Sequence, residues 1–268
     1  MKITKSIGLI GVGNMGTAIL EGLLKKKLIT ASQVAVYDKI PDKAAAFSKQ
    51  WKTRKALSNS KLVKQSDIVI LAVKPQDLQQ TAEEITSVWK KSHVLISILA
   101  GMPVAKIRKA VWGMPQVVRA MPNLGAKVGA SITAITGESK TALSAAENVF
   151  LGCGTVIRLP EGHFDLVTAL SGSGPAYFFL LMEMMAAEGV KKGLTQEQAV
   201  LLAVQTAVGA GLLAQASLNS PAELRAMVTS KGGTTEAALK VMEKNNIRKI
   251  FSEAIAAAHR RGAELSQS

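Results

Sequence analysis

The chain has 268 residues but only one cysteine, Cys153, and three histidines, His93, His163 and His259. A lone cysteine excludes an intramolecular disulfide framework, and the histidines lie too far apart for metal-ligand spacing. No metal site is expected, and the composition fits a reducing cytoplasm. Aromatic residues make up only 4% of the chain, too few for the stacking platforms of single-stranded nucleic-acid binders. Long apolar runs are missing as well. Ala176–Met182 and Ala199–Val204 stop at Glu183 and Gln205, short of the roughly 18–20 residues that span a bilayer. The opening Met1-Lys2-Ile3 leads towards Gly11 without the apolar stretch and small-residue cleavage site of a signal peptide, so it reads as the approach to a first strand. Acidic residues are outnumbered, 19 Asp+Glu against 33 Lys+Arg, for a net charge of +14. That charge raises the alternative of a nucleotide-sensing or nucleic-acid-binding module. The basic residues are scattered from Lys2 to Arg261, however, and the clusters Lys25–Lys27 and Arg260-Arg261 have no interleaved aromatics. They read as solvated basic faces that draw in anionic ligands.

What is present is a chain that is 48% hydrophobic, enough to build a core. Its first half alternates. Strands are expected at 6–10, 33–38, 67–73, 94–98, 117–121, 131–136 and 155–159, and helices at 17–27, 41–51, 78–89 and 103–111. Nearly all-apolar runs such as Asp67–Val73 suit a parallel sheet covered on both faces, and the alternation implies a doubly wound α/β fold. Beyond Pro160 the pattern is helical: 164–190, 195–218, 221–228, 234–244 and 247–265, punctuated by Gly189, Gly193 and Asn219. The expected organisation is a dinucleotide-binding domain at 1–160 and an all-α domain at 161–268. The helices of the second region carry Ala, Leu, Met and Val around much of their circumference. Such helices need cover on all sides, which points to a subunit interface; an ordinary bundle core is the alternative.

Gly11-Val12-Gly13-Asn14-Met15-Gly16 fits G-x-G-x-x-G, follows an apolar strand and opens a helix, the context that makes the pattern a dinucleotide fingerprint. Gly11 permits the tight turn, Gly13 lets the backbone approach a pyrophosphate, and Gly16 permits close helix–sheet packing. The N–H groups of Asn14 and Met15 face anionic oxygens from a helix N-terminus. Asp38 ends the second strand, roughly 20 residues on, where a carboxylate accepts ribose hydroxyls and favours NAD. Lys39 stands ready for a 2′-phosphate instead, and Asp38 also reads as a turn residue before Pro41. NADPH and NADH both remain open.

Several stretches together resemble the pyrroline-5-carboxylate reductase family. They are Gly8–Gly16, Ala72-Val73-Lys74-Pro75, Arg119-Ala120-Met121-Pro122-Asn123, Ser171–Tyr177, and Pro221-Ala222-Glu223-Leu224 leading to Val228-Thr229-Ser230-Lys231-Gly232-Gly233-Thr234-Thr235. The resemblance covers nearly the whole chain in order, and the last two stretches are the specific ones. It implies NAD(P)H-dependent reduction of the cyclic imine 1-pyrroline-5-carboxylate to L-proline, the final step of proline biosynthesis. It implies a homodimer as the minimum, formed by interlocking helical domains with the active site at their junction, and dimers that associate further into rings.

Residue roles follow from the resemblance. Ala72, Val73, Lys74 and Pro75 lie along the coenzyme. Asn59 meets its adenosine side; read alone it is a loop-capping residue. Ile98, Leu99 and Ala100 pass near the nicotinamide ribose, and Pro122-Asn123 borders the nicotinamide. Ser230, Gly232, Gly233, Thr234 and Thr235 form the substrate loop, with the carboxylate at a helix N-terminus. Thr235 is the catalytic residue, its hydroxyl reaching the ring nitrogen to orient it or relay a proton; read alone, Thr234 and Thr235 are helix caps. Glu161 joins the substrate site, or else is a surface carboxylate. Lys231 departs from the family's frequent proline and loses its rigidity. A β-hydroxyacid dehydrogenase is a competing enzyme, but it needs a lysine on the long helix, and none follows Tyr177 until Lys191.

Overall fold

In the computed structural model the run Ile7–Ile10 is strand β1, buried at every residue. The structure describes residues 2–112 and 115–267. Its contacts divide the chain into two units, Met1–Ser173 with Ala258–Ser268, and Gly174–Ala257.

In the first unit, β1 is followed by α1 (Asn14–Lys25), β2 (Val34–Tyr37), α2 (Pro41–Trp51), β3 (Arg54–Lys55), α3 (Asn59–Lys64) and β4 (Ile68–Leu71). Then come α4 (Leu78–Ile85), β5 (Val94–Ser97), α5 (Val104–Ala110), β6 (Gln116–Met121), β7 (Ser131–Gly137), α6 (Lys140–Phe150), β8 (Gly154–Arg158) and α7 (Phe164–Val167). The eight strands form one sheet in the order β3-β2-β1-β4-β5-β6-β7-β8. Pairing is parallel except between β6 and β7. The doubly wound α/β expectation therefore holds, with one difference: β7 and β8 run against the other strands.

Alternate strand residues feed two separate cores, as the pleat requires. Ile7, Leu9, Ile68, Ile70, Val94 and Ile96 pack on one face with α1 and α6. Ile10, Val69, Leu71 and Leu95 pack on the other with Leu62, Ile85 and Ile107. Cys153 belongs to the first core, where burial pushes its thiol up to about 11, so it packs as a small apolar group. Strand order reverses between β1 and β4, and ligands of open α/β sheets bind at the carboxyl ends of strands at such a point.

The second unit holds α8 (Gly174–Lys191), α9 (Gln196–Ala216), α10 (Pro221–Met227), α11 (Thr234–Lys244) and the first part of α12 (Ile247–Gln267). Capping boxes start α9, from Thr195 and Gln198, and α10, from Ser220 and Glu223, each satisfying otherwise orphaned backbone donors. Helices α8 and α9 meet through Ala186, Ala199 and Ala203. Gly189 allows that approach, since a Cβ there would lie 3.0 Å from the Ala199 Cβ.

One sequence expectation is corrected here. The helical runs Glu161–Lys191 and Gln196–Ala216 are long and apolar enough to cross a membrane by length and composition. Glu183 and Gln205 interrupt the apolar letters but not the helices, so counting uninterrupted runs understates them. Both runs remain largely uncovered within the single chain.

Candidate functional site

The glycine motif lies at the reversal between β1 and β4. Gly11 has φ +96°, and a Cβ there would sit 2.6 Å from the Ala72 carbonyl oxygen. A Cβ on Gly16 would lie 2.6 Å from the Gly11 oxygen and 2.9 Å from Leu9 Cδ1. Both positions require glycine because backbone passes against backbone. Gly13 differs: a Cβ there meets nothing within 4 Å. It is the N-cap of α1 and supplies no side-chain cap, so the first-turn donors of Asn14 and Met15 stay available to an anion. A cavity of about 250 Å³ opens alongside, lined by Gly11, Gly13, Asp38, Asn59, Ala72, Val73 and Lys74 among others. The structure thus gathers seven of the fifteen sequence-predicted coenzyme residues around one cavity, while Val12, Asn14, Met15, Gly16, Pro75, Ile98, Leu99 and Ala100 are not among its lining residues.

Asp38 has structural work at this cavity. Its Oδ2 accepts the Val12 N–H at 2.7 Å and its Oδ1 accepts the Ile40 N–H at 2.8 Å. Lys39 is tied to Asp77 at 2.8 and 2.9 Å. Asn59 is not in a loop; it is the first residue of α3, whose cap is Ser58. Its Nδ2 donates to Glu84 Oε2 at 2.8 Å, while its buried Oδ1 has no partner among the described residues. An orphaned buried acceptor on a residue that lines this cavity fits a ligand that donates a hydrogen bond there. The glycine approach, the uncapped helix and this oxygen all fit a dinucleotide. Ala72 and Val73 continue from β4, Lys74 is the N-cap of a 3-10 turn, and Pro75 opens that turn.

Ile98, Leu99 and Ala100 leave β5, with the Ile98 N–H donating to the Leu71 oxygen at 3.1 Å. Asn123, beyond β6, is an N-cap whose Oδ1 accepts the Gly125 N–H at 3.1 Å. Glu161 Oε1 accepts the Val104 N–H at 2.7 Å and lies 3.3 Å from Arg119 Nη1.

The loop 230–235 lies in the second unit. Gly232 has φ +74°, and the Gly233 N–H donates to the Ser230 oxygen at 3.0 Å. The N-cap of α11 is Gly233, without a side-chain cap, so Thr234 and Thr235 are its first two residues rather than its caps. Sequence reasoning missed Glu236. Its Oε2 accepts the Gly232 N–H at 2.7 Å, and Lys240 Nζ lies 3.2 Å from its Oε1. The signal was a Glu in the third helical position, which commonly reaches back across a helix start. Among the described residues, no group of three His, Cys, Asp or Glu is placed to hold a metal ion.

Known proteins match both halves of the chain. Residues 161–265 match the family model described as pyrroline-5-carboxylate reductase dimerisation. Residues 6–101 match that described as NADP oxidoreductase coenzyme F420-dependent. The chain is 36% identical over 266 residues to the pyrroline-5-carboxylate reductase of Methanosarcina acetivorans, covering 98% of each. It is 36% identical over 269 residues to that of Pseudomonas aeruginosa, again covering 98% of each. Among solved structures, the pyrroline-5-carboxylate reductase of Coxiella burnetii superposes with a TM-score of 0.93 at 35% identity, covering 99% of this chain and 100% of that one. The Plasmodium falciparum pyrroline carboxylate reductase with NADP bound gives 0.88 at 27% identity, with the same coverage. Likeness of that degree runs through the glycine motif, the sheet and the helical region alike, and the chain belongs to the pyrroline-5-carboxylate reductase family.

Proposed function

We propose that this chain reduces 1-pyrroline-5-carboxylate to L-proline with NAD(P)H, the final step of proline biosynthesis. The observation that carries the proposal is likeness to pyrroline-5-carboxylate reductases across 98% of both chains, a span that takes in residues 11–16 and 230–235.

NAD(P)H, when bound, supplies the hydride for the imine carbon. Gly11, Val12, Gly13 and Gly16 shape the turn that seats its pyrophosphate, and the first-turn N–H groups of Asn14 and Met15 meet it. Asp38 and Asn59 serve the adenosine side, and Ala72, Val73, Lys74, Pro75, Ile98, Leu99 and Ala100 line the path towards the nicotinamide. Ser230, Gly232, Gly233 and Thr234 form the loop that takes the substrate carboxylate at the start of α11, a helix N-terminus without a side-chain cap on its N-cap residue. Thr235 orients the ring nitrogen or relays a proton; as a weak acid it needs solvent as the proton source. Glu161 belongs to the substrate side. Holding the reacting carbons close and aligned is the protein's main contribution.

The functional division falls at 160/161, with coenzyme binding before it and substrate binding and dimerisation after it. The working unit is a homodimer that can associate into rings, without nucleic acid or membrane, in the cytoplasm. The direct test measures oxidation of NADPH and of NADH by the purified protein with 1-pyrroline-5-carboxylate. Oxidation with either supports the reading and the ratio sets coenzyme preference. No oxidation of either, or oxidation linked to 3-hydroxy acids instead, overturns it.

A further inference from the structure

Arg119 is 4% exposed, deep at the third-last position of β6. A buried guanidinium must be paired, and three side chains from one stretch surround this one. Glu161 Oε1 lies 3.3 Å from Nη1, Asp165 Oδ1 lies 4.0 Å from Nη2, and the Phe164 ring centroid is 4.7 Å from Cζ.

Each carboxylate has a second task. Glu161 Oε1 also accepts the Val104 N–H at the start of α5, at 2.7 Å. Asp165 Oδ1 also accepts the Ser266 hydroxyl from the last turn of α12, at 2.7 Å. The last turn of α12 packs on the loop before α5 as well, since a Cβ on Gly101 would lie 3.0 Å from the Leu265 oxygen. One cation therefore ties together strand β6, the loop 98–103 after β5, the start of the long helix and the end of α12. In the sheet Arg119 pairs with Ser97, the last residue of β5, so the cluster stands where β5 and β6 deliver their carboxyl-end loops, the ligand-binding edge of such a sheet. Beyond it, the Met121 side chain lies over Gly172, where a Cβ would be 2.6 Å from the Met121 Cε. Gly172 ends the π-helical turn Thr168–Gly172, a geometry frequent at functional sites.

We propose that Arg119 is a positioning residue for the coenzyme: through Glu161 and Asp165 it sets the loop 98–103 and the 121–123 segment against the nicotinamide end of NAD(P)H. The proposal rests on the coenzyme reading above and reassigns the main action of Glu161 from the substrate to this cluster.

The test is direct NADPH binding by fluorescence titration of the full-length wild type and of Arg119→Lys, Arg119→Met, Glu161→Gln and Ser266→Ala, with thermal unfolding and the KM for the imine measured alongside. Lys keeps the charge but not the planar stack. The expected order of NADPH Kd is wild type, then Arg119→Lys, then Arg119→Met, with Arg119→Lys and Glu161→Gln each weakened about fivefold or more and non-additive when combined. A merely structural cluster lowers Tm but leaves Kd alone. Folded Arg119→Lys and Glu161→Gln proteins whose NADPH Kd stays within about twofold of wild type overturn the proposal, as does a Glu161→Gln effect confined to the KM for the imine. If Arg119→Met does not fold, Glu161→Gln and Ser266→Ala decide. A wild type that binds no NADPH defeats the functional reading itself, which separates the two failures.

Discussion

The sheet unit and the helical unit use apolar residues in opposite ways. In β1, β4 and β5 every residue is buried. In α8, an 18-residue helix, only Gly174 and Ala186 are buried, and in the 21 residues of α9 only Ala199 and Ala203. Phe178 is 61% exposed and Leu201 67%. Side chains of the same kind thus complete a core in one unit and leave one open in the other. Burying one such side chain is worth about 1.5–3 kcal/mol. A handful of them exceeds the roughly 4–15 kcal/mol that association costs, so a second copy can complete the helical unit. The match of residues 161–265 to a dimerisation family model agrees with that physics. It also accounts for the apolar composition of the runs Glu161–Lys191 and Gln196–Ala216.

The largest expected effect comes from breaking this contrast. Leu201→Glu and Leu212→Glu alter side chains that are 67% and 60% exposed in the chain. Each should leave the sheet unit folded, yield a monomer in sedimentation, and cut activity by roughly 100-fold or more. Ile70→Ala, at a fully buried sheet position, should instead cost about 2–5 kcal/mol in unfolding and keep the dimer. Leu201→Glu and Leu212→Glu proteins that stay dimeric and active would show that these faces are covered by something else.

Next in size is a pair of glycines within the sheet unit. Gly11→Ala forces a Cβ against Ala72 at φ +96° and should destabilise by about 1–3 kcal/mol as well as abolish coenzyme binding. Gly13→Ala meets open space and should change unfolding by less than about 0.5 kcal/mol while weakening NADPH roughly 10-fold. Equal losses of stability in the two variants would remove the distinction between a turn glycine and a coenzyme glycine.

Much of this contrast was legible in the sequence. Pro41 and Gly233 punctuate their helices so sharply that 41–51 and 234–244 read correctly to the residue. The glycine motif was legible because its constraint is local, a fixed spacing between strand and helix. Strand β3 was not, since two exposed polar residues, Arg54 and Lys55, carry no periodicity. Helices α3 and α6 are capped by Ser58 and Ser139, but a single serine is also an ordinary turn residue. The reversed direction of β7 is legible only in spacing, since the stretch 122–130 that joins it to β6 is shorter than the dozen or more residues a parallel crossover needs. Arg119 and Glu161 are 42 positions apart, and only folding shows that they meet.

Within the helical unit the test turns to chemistry. Thr235→Ala should lower kcat/KM roughly 10- to 100-fold, the value of one hydrogen bond to a charged or developing charge, with NADPH binding unchanged by fluorescence. Normal turnover would remove Thr235 from the mechanism. A smaller change is expected at Glu236, whose carboxylate holds the Gly232 N–H in the loop proposed to take the substrate carboxylate. Glu236→Gln removes a like charge there and should lower the KM for the imine by roughly two- to fivefold. An unchanged KM with a weaker helix would make Glu236 only a cap.

The smallest effect returns to the sheet unit and sharpens what burial does to a polar group there. His93, 5% exposed, packs edge-on against Trp89 and accepts the Lys90 N–H through Nδ1 at 3.2 Å. Burial, reinforced by the charge of Lys90 and opposed by Asp67, holds its pKa below the usual 6.5. The folded state therefore resists a proton that the unfolded chain accepts below that value. Stability should be flat above it and fall as pH drops through it, since the unfolded state then binds more protons. The carboxylates of Asp67 and Glu147, held low by hydrogen bonds from Ser6 and Arg158, lose their contribution only in more acid solution. Thermal unfolding measured from roughly pH 7 to pH 5 isolates the histidine. His93→Gln should flatten that part of the curve, and a curve unchanged by the substitution would place the proton elsewhere.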